Sequence, residues 1–229
     1  TGVQTCALPI YSSDISALDL TTCPNLRELH CINNRLAGTL DLSHCPELKA
    51  LYVGNIYDAE NDRFYEGRNQ LTGLNITGCT KLEDVSCEAN NISGFLDLSG
   101  RANLKHLYCN DNAFTGLNLT GCPALEELSC HNNQFTGTLD LSGRTALRHV
   151  SANDNRFTAL NVQNCPALEF LALHSNDITA LDVSTCTSLR ELHCMNNKLT
   201  GTLDLSRCPE LRALYVGNIY DEENERFYS

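Results

Sequence analysis

The chain has 229 residues, 42% of them hydrophobic, and carries 16 Lys plus Arg against 28 Asp plus Glu for a formal net charge of -12. A surface that acidic repels phosphate backbones and anionic lipid, so nucleic acid is excluded as an expected partner. No apolar run approaches the roughly 20 residues that span a bilayer, so no membrane span is expected in this stretch of chain.

In chain order, residues 1–10 (TGVQTCALPI) come first; they resemble the translation of a common sequencing-library adapter and are set aside as non-native. From Ile15 onward a unit of 21 or 22 residues recurs, LxxLxCxxNxLTxLDLSxCPx, with copies starting at Leu26, Leu48, Leu82, Leu104, Leu125, Leu147, Leu168, Leu189 and Leu211. A short fixed period is the signature of a solenoid, in which each unit buries its apolar face only against its neighbours. Residues 11–229 are accordingly read as a single solenoid, truncated at both ends. The 22-residue copies carry one extra residue before LDL, as in GTLDLS from Gly38 against GLNLT from Gly116, which a bulge would absorb. An insertion at 55–68, NIYDAENDRFYEGR, lengthens the second copy by 13 residues and is partly repeated at 218–229. The long segment from Leu26 to Tyr65 recurs from Leu189 with an offset of 163 residues, the mark of a tandem duplication.

Period-two alternation over Leu26–Ile32 puts Leu29 and Cys31 on one face and Glu28, His30 and Ile32 on the other, so only the first pair can be core. One column is always amide: Asn34, Asn69, Asn90, Asn112, Asn133, Asn155, Asn176 and Asn197. A buried carboxamide has two donors and an acceptor, which suits it to tie loop backbone groups of its own repeat and the next. This column is expected to be a structural ladder.

These motifs resemble the leucine-rich-repeat family, in its short bacterial form with a second LDLS-like segment, over Ile15 to Val216. The resemblance implies a leucine-rich-repeat solenoid with a parallel β-sheet on the concave face from the LxxLxC segments. Short strands and turns follow on the convex face, with little α-helix. It also implies a secreted or surface-attached bacterial protein that binds host or neighbouring-cell proteins, hence extracellular or cell-surface localisation.

Of the thirteen cysteines, Cys6 falls in the adapter-like stretch and the other twelve lie in two columns of the repeat. Val53, Ala152, Leu173 and Val216 replace the strand cysteine, so that column is a packing position and its thiols behave as small hydrophobes. Reduced core thiols are the expectation, with a few disulfides as the alternative; no CxxC pair supports zinc, and neither metal nor cofactor is expected. The insertion carries Tyr57, Phe64 and Tyr65, which reads as a recognition loop or a solvated one. A calcium loop is a weaker reading, because the alternation of Asp58, Glu60 and Asp62 lacks the required Gly and the second copy has Glu225 in place of Asp62. Asp41, Asp97, Asp140 and Asp204 fall in one LDLS column and read as convex polar positions or turn acceptors. There is no Gly-rich phosphate loop, nucleophile elbow or HExxH, so the chain is not expected to be an enzyme.

The candidate binding residues lie at the third, fifth and seventh positions of LxxLxC. Six of the seven histidines fall there, His30, His106, His131, His149, His174 and His193, joined by Tyr52, Tyr108, Phe170 and Tyr215. Large amphipathic side chains of this kind are enriched at interface centres. The expected function is therefore non-catalytic binding of a protein on the concave face. The alternatives are a glycan-binding surface or a targeting region of a larger multidomain enzyme.

Overall fold

The computed structural model describes residues 14–58, 63–64, 68–218, 220–221 and 226–227. Nine short strands form one parallel sheet in chain order: Glu28–His30, Ala50–Tyr52, Asp84–Ser86, His106–Tyr108, Glu127–Ser129, His149–Ser151, Phe170–Ala172, Glu191–His193 and Ala213–Tyr215. The register is unbroken, with the first strand residues aligned from Glu28 and Ala50 through Asp84, His106, Glu127, His149, Phe170 and Glu191 to Ala213. No helix occurs among the described residues, and about 21 residues per turn leave no length for one on the return path. The fourth and sixth positions of LxxLxC are buried in almost every turn, from Leu29 and Cys31 to Leu192 and Cys194.

The strands are short because the chain turns out of the sheet three residues past each one. That residue has left-handed φ, as in Asn33 (52°), Asp111 (55°), Asn132 (51°), Asp154 (53°) and Asn196 (51°), a conformation that Asn and Asp reach more cheaply than most residues. The next residue belongs to the asparagine column. Asn133 shows the pattern: its Oδ1 accepts from the Phe114 amide (3.0 Å), and its Nδ2 donates to the carbonyls of Cys109 (3.0 Å), Cys130 (3.2 Å) and His131 (3.2 Å). The neighbour it ties is thus the preceding repeat, not the next one. Asn155, Asn176 and Asn197 repeat this set one turn on each time.

The extra residue of the longer copies is taken up on the convex side. There, three short parallel pairs form: Ala37–Asp41 with Gln70–Asn75, Ser93–Asp97 with Ala113–Asn118, and Thr136–Asp140 with Arg156–Asn161, each with one register shift. The longer copies all place glycine at positive φ just before the LDL segment, Gly38 (73°), Gly94 (86°), Gly137 (75°) and Gly201 (80°), where a Cβ would be strained. Asp41, Asp97, Asp140 and Asp204 are exposed, and each accepts a hydrogen bond from the amide of the serine two residues on (2.9–3.0 Å), which holds its carboxyl below the usual range.

All twelve described cysteines are free thiols. The two columns differ in chemistry. In the strand column, Cys87, Cys109 and Cys130 are fully enclosed, and burial alone or first of all pushes their thiols far up. In the second column the thiol is a donor to the preceding repeat, from Cys79 to the Leu42 carbonyl (3.3 Å), Cys122 to Leu98 (3.1 Å) and Cys165 to Leu141 (3.0 Å). Arg101 and Arg144 occupy that same column, and their guanidinium groups reach the carbonyls of Ile76 (3.0 Å) and Leu119 (2.9 Å) in the same way. The second column therefore selects a donor, which treating cysteine as a small hydrophobe does not capture.

Asn55 closes the insertion. Its Oδ1 accepts from the Asn69 amide (2.7 Å) and its Nδ2 donates to the carbonyls of Asn69 (3.0 Å) and Ala89 (2.6 Å), so both ends of the excursion are held by one buried side chain. Between them Tyr57–Asp58 pairs antiparallel with Arg63–Phe64, and the second copy repeats the pairing as Tyr220–Asp221 with Arg226–Phe227. The side chains of Tyr57 and Phe64, the whole of Tyr65, the Glu60 and Asp62 of the calcium reading and the adapter-like residues 1–10 lie outside the described residues.

Candidate functional site

The concave face is built from the third, fifth and seventh residue of each LxxLxC segment, because the fourth and sixth are held in the core. With neighbouring strands about 4.8 Å apart, equal positions of successive repeats stand side by side. The ten ring-bearing candidates gather in three groups. At the N-terminal side His30 stacks on Tyr52 with ring centroids 4.7 Å apart. At the C-terminal side His149 stacks on Phe170 (4.3 Å) and His193 on Tyr215 (4.2 Å). Phe170 lies 5.5 Å and His174 6.3 Å from His193, so five of the candidates form one aromatic cluster. The middle holds His106, Tyr108 and His131, of which the first two are loosely stacked at 6.5 Å.

Carboxylates, which the sequence reading passed over, accompany the rings. Asp84 accepts from His106, Glu127 from the Tyr108 hydroxyl, and Glu191 from His193 (2.6 Å). His30 lies 3.3 Å from Glu28, His131 3.7 Å from Asp111 and His174 3.6 Å from Asp154. Every histidine ion pair among the described residues is on this face. The signal was present in the sequence, because Glu28, Asp84, Glu127 and Glu191 occupy the same third position as His106 and His149.

Serines and amides complete the middle. Ser129 Oγ donates to Asn110 (3.1 Å) and lies 3.0 Å from His131 Nδ1, while Ser151 Oγ donates to Asn153 (3.0 Å). Ser86 Oγ donates to Glu88 (2.7 Å), whose carboxyl is raised by burial and by Asp111. Gly54 leaves the space for that carboxyl, since a Cβ there would lie 2.5 Å from it. Burial, the Glu127 bond and the nearby Asp84 and Glu88 together push the Tyr108 phenol well up, so it stays a neutral donor. Burial pulls His174 below its ordinary value against the opposing pull of Asp154. No cluster of three or more metal-ligating side chains exists among the described residues, and no helix there is long and apolar enough to cross a membrane.

Stacked 21–22-residue turns with a parallel concave sheet and an asparagine ladder define a leucine-rich-repeat solenoid. The family described as Leucine Rich repeats (2 copies) matches residues 102–143. No curated protein matches significantly. Among solved structures, the chain is similar to the functional domain of InlJ from Listeria monocytogenes, described as including a cysteine ladder, at 28% identity and a TM-score of 0.68, covering 89% of this chain and 46% of that one. A TDR receptor (22% identity, TM-score 0.70, 84% of this chain and 35% of that one) and the leucine-rich-repeat domain of APL1B (17%, TM-score 0.67, 92% and 64%) share the fold. The chain thus spans less than half the length of the Listeria structure it matches.

Proposed function

We propose that this chain is a non-catalytic binding module of a secreted or surface bacterial protein, and that the concave sheet is where it holds another protein. The observation that carries this reading is the segregation of side chains. Rings, carboxylates and neutral donors fill one rigid face, while the convex turns repeat one device, an Asp or Asn whose Oδ1 accepts from the amide two residues on. Repetition suits a scaffold; variation at fixed spacing suits recognition. The likeness to a Listeria domain at 28% identity supports the bacterial setting. Tyr57, Phe64 and Tyr65 of the insertion at 55–68 are proposed to extend the contact.

The test is selection of binders from a random 12-residue display library against the folded chain. Each binder is then measured on Tyr108→Ala, His131→Ala and Asp140→Ala. Binders should lose about tenfold or more on the two concave variants, as for truncation of an interface hot spot, and nothing on the convex one. Loss only on Asp140→Ala would move the site off this face, and binding to glycan arrays but to no peptide would favour the sugar-binding alternative.

A further inference from the structure

We infer that the concave face takes a cationic partner, an extended protein segment bearing Lys or Arg. This rests on the reading that the concave face is the binding surface and adds the chemistry of what it binds. No Lys or Arg occupies the third, fifth or seventh position of any of the nine LxxLxC segments. Seven carboxylates stand on this face or at its rim: Glu28, Asp84, Glu88, Asp111, Glu127, Asp154 and Glu191. Among the described residues, seven ion pairs involve Lys or Arg, and none of them uses any of these seven. Their partners are instead imidazoles, the Tyr108 phenol, the Ser86 hydroxyl and amides such as Asn132, which donates to Asp111 (2.6 Å). The phenol, the hydroxyl and the amides carry no charge, so they hold a carboxylate in place and leave its charge standing.

The basic residues are not missing from the strand segments; they are displaced by one position. Arg27, Lys49, Lys105, Arg148, Arg190 and Arg212 take the second position, outside the strand. There Glu83 and Glu169 neutralise several of them, at 2.7 Å from Lys49, 3.8 Å from Lys105 and 2.6 Å from Arg190. Arg68, at the close of the insertion, directs its guanidinium to the Ala89 carbonyl (3.4 and 3.5 Å). The basic row beside the sheet is thus partly neutralised by acids of its own row and by Glu210, while the carboxylates on the sheet have no Lys or Arg partner, the arrangement that attracts a complementary cation. The acidic middle is flanked by the His30–Tyr52 pair and the Phe170–His193–Tyr215 cluster. Aromatic faces of that kind accept Lys or Arg side chains by cation–π contact. Nine strands at about 4.8 Å cover about 38 Å, the length of about 12 extended residues.

The experiment uses two labelled 12-residue probes, (Lys-Ala-Tyr)4 and (Glu-Ala-Tyr)4, titrated by fluorescence anisotropy at pH 7.5 in low and moderate salt. Three proteins are compared: the chain as it stands, a concave triple variant (Asp84→Asn, Asp111→Asn, Glu127→Gln) and a convex triple variant (Asp41→Asn, Asp97→Asn, Asp140→Asn) that removes the same charge elsewhere. The lysine probe should bind the unaltered chain, weaken about tenfold or more on the concave variant, and change less than about twofold on the convex one. Equal weakening by both variants, or no binding of the lysine probe at millimolar protein, overturns the inference. Tighter binding of the glutamate probe with loss on Tyr108→Ala would also overturn it, while leaving the concave surface as the binding site. Display-selected binders that no concave substitution affects would sink both.

Discussion

Replacing Asn133 by alanine isolates what the amide ladder contributes. The residue makes four hydrogen bonds, but they are not equally replaceable. The Cys109 carbonyl also accepts from Asn112 (3.3 Å), the Cys130 carbonyl from Asn155 (3.0 Å) and the His131 carbonyl from the Asp111 amide (3.1 Å). Each therefore keeps a donor when Asn133 is removed. The Phe114 amide does not, because its bond is to Asn133 Oδ1 (3.0 Å), beside a phenylalanine ring that is 1% exposed. One orphaned buried donor costs about 1 to 3 kcal/mol, far less than four lost bonds would. Urea melts followed by circular dichroism read this directly, with the slope checked for a change in cooperativity. Cys130→Ala, which loses only packing, should cost less than Asn133→Ala. A loss under about 0.5 kcal/mol for Asn133→Ala, below the range for an unsatisfied buried group, would refute the reasoning, as would a larger loss for Cys130→Ala.

Further outcomes follow from the same contacts. Cys165→Ser should be tolerated, since a hydroxyl can donate to the Leu141 carbonyl as the thiol does (3.0 Å), whereas Cys130→Ser buries an oxygen beside no acceptor and should cost about 1 to 3 kcal/mol; equal melting points would contradict the two-column account. Burial pushes Cys79 and Cys194 up to about 11, so native-state alkylation at pH 8 should leave both unlabelled until denaturant is added, and prompt labelling of either would show an open core. Because burial lowers His174 in the folded chain, the unfolded chain binds that proton first, and stability should fall as pH drops through about 6.5. His174→Gln should reduce the drop in melting temperature between pH 7.5 and 5.5, and an unchanged drop would remove His174 from the account. For the convex aspartates the sign is the same but the window is lower: Asp41, Asp97 and Asp204 are held low by serine amides, so their stabilisation is present above about pH 4 and lost below it. Converting all three to Asn should flatten the acid limb of the stability curve, and an identical limb would count against the turn bonds.

Much of this was legible in the chain because a repeat states each structural requirement nine times. Alternation of Leu29 and Cys31 with Glu28 and His30 settles which side faces inward, and the amide column marks where each strand ends. Two things escaped that reading. The commonest residue of a column hides its exceptions: Arg101 and Arg144 stand in the second cysteine column, with SGR where other repeats have a glycine followed by cysteine, as in TGC. Only the shared acceptor, the preceding carbonyl, shows what a thiol and a guanidinium have in common there. The acids of the concave face escaped for a related reason. His106 and Asp84 are 22 residues apart in sequence, and their pairing exists only once the repeats stack in register.

The claim that recognition happens on the concave sheet is tested most directly by carboxyl footprinting. The chain is labelled with a carbodiimide and an amine, alone and saturated with a display-selected binder, and modification is read residue by residue by mass spectrometry. Protection should fall on Asp84, Glu127 and Glu191, while Asp97, Asp140 and Asp204 label at the same rate with and without the binder. Protection of the convex aspartates with the concave acids unchanged would contradict the account.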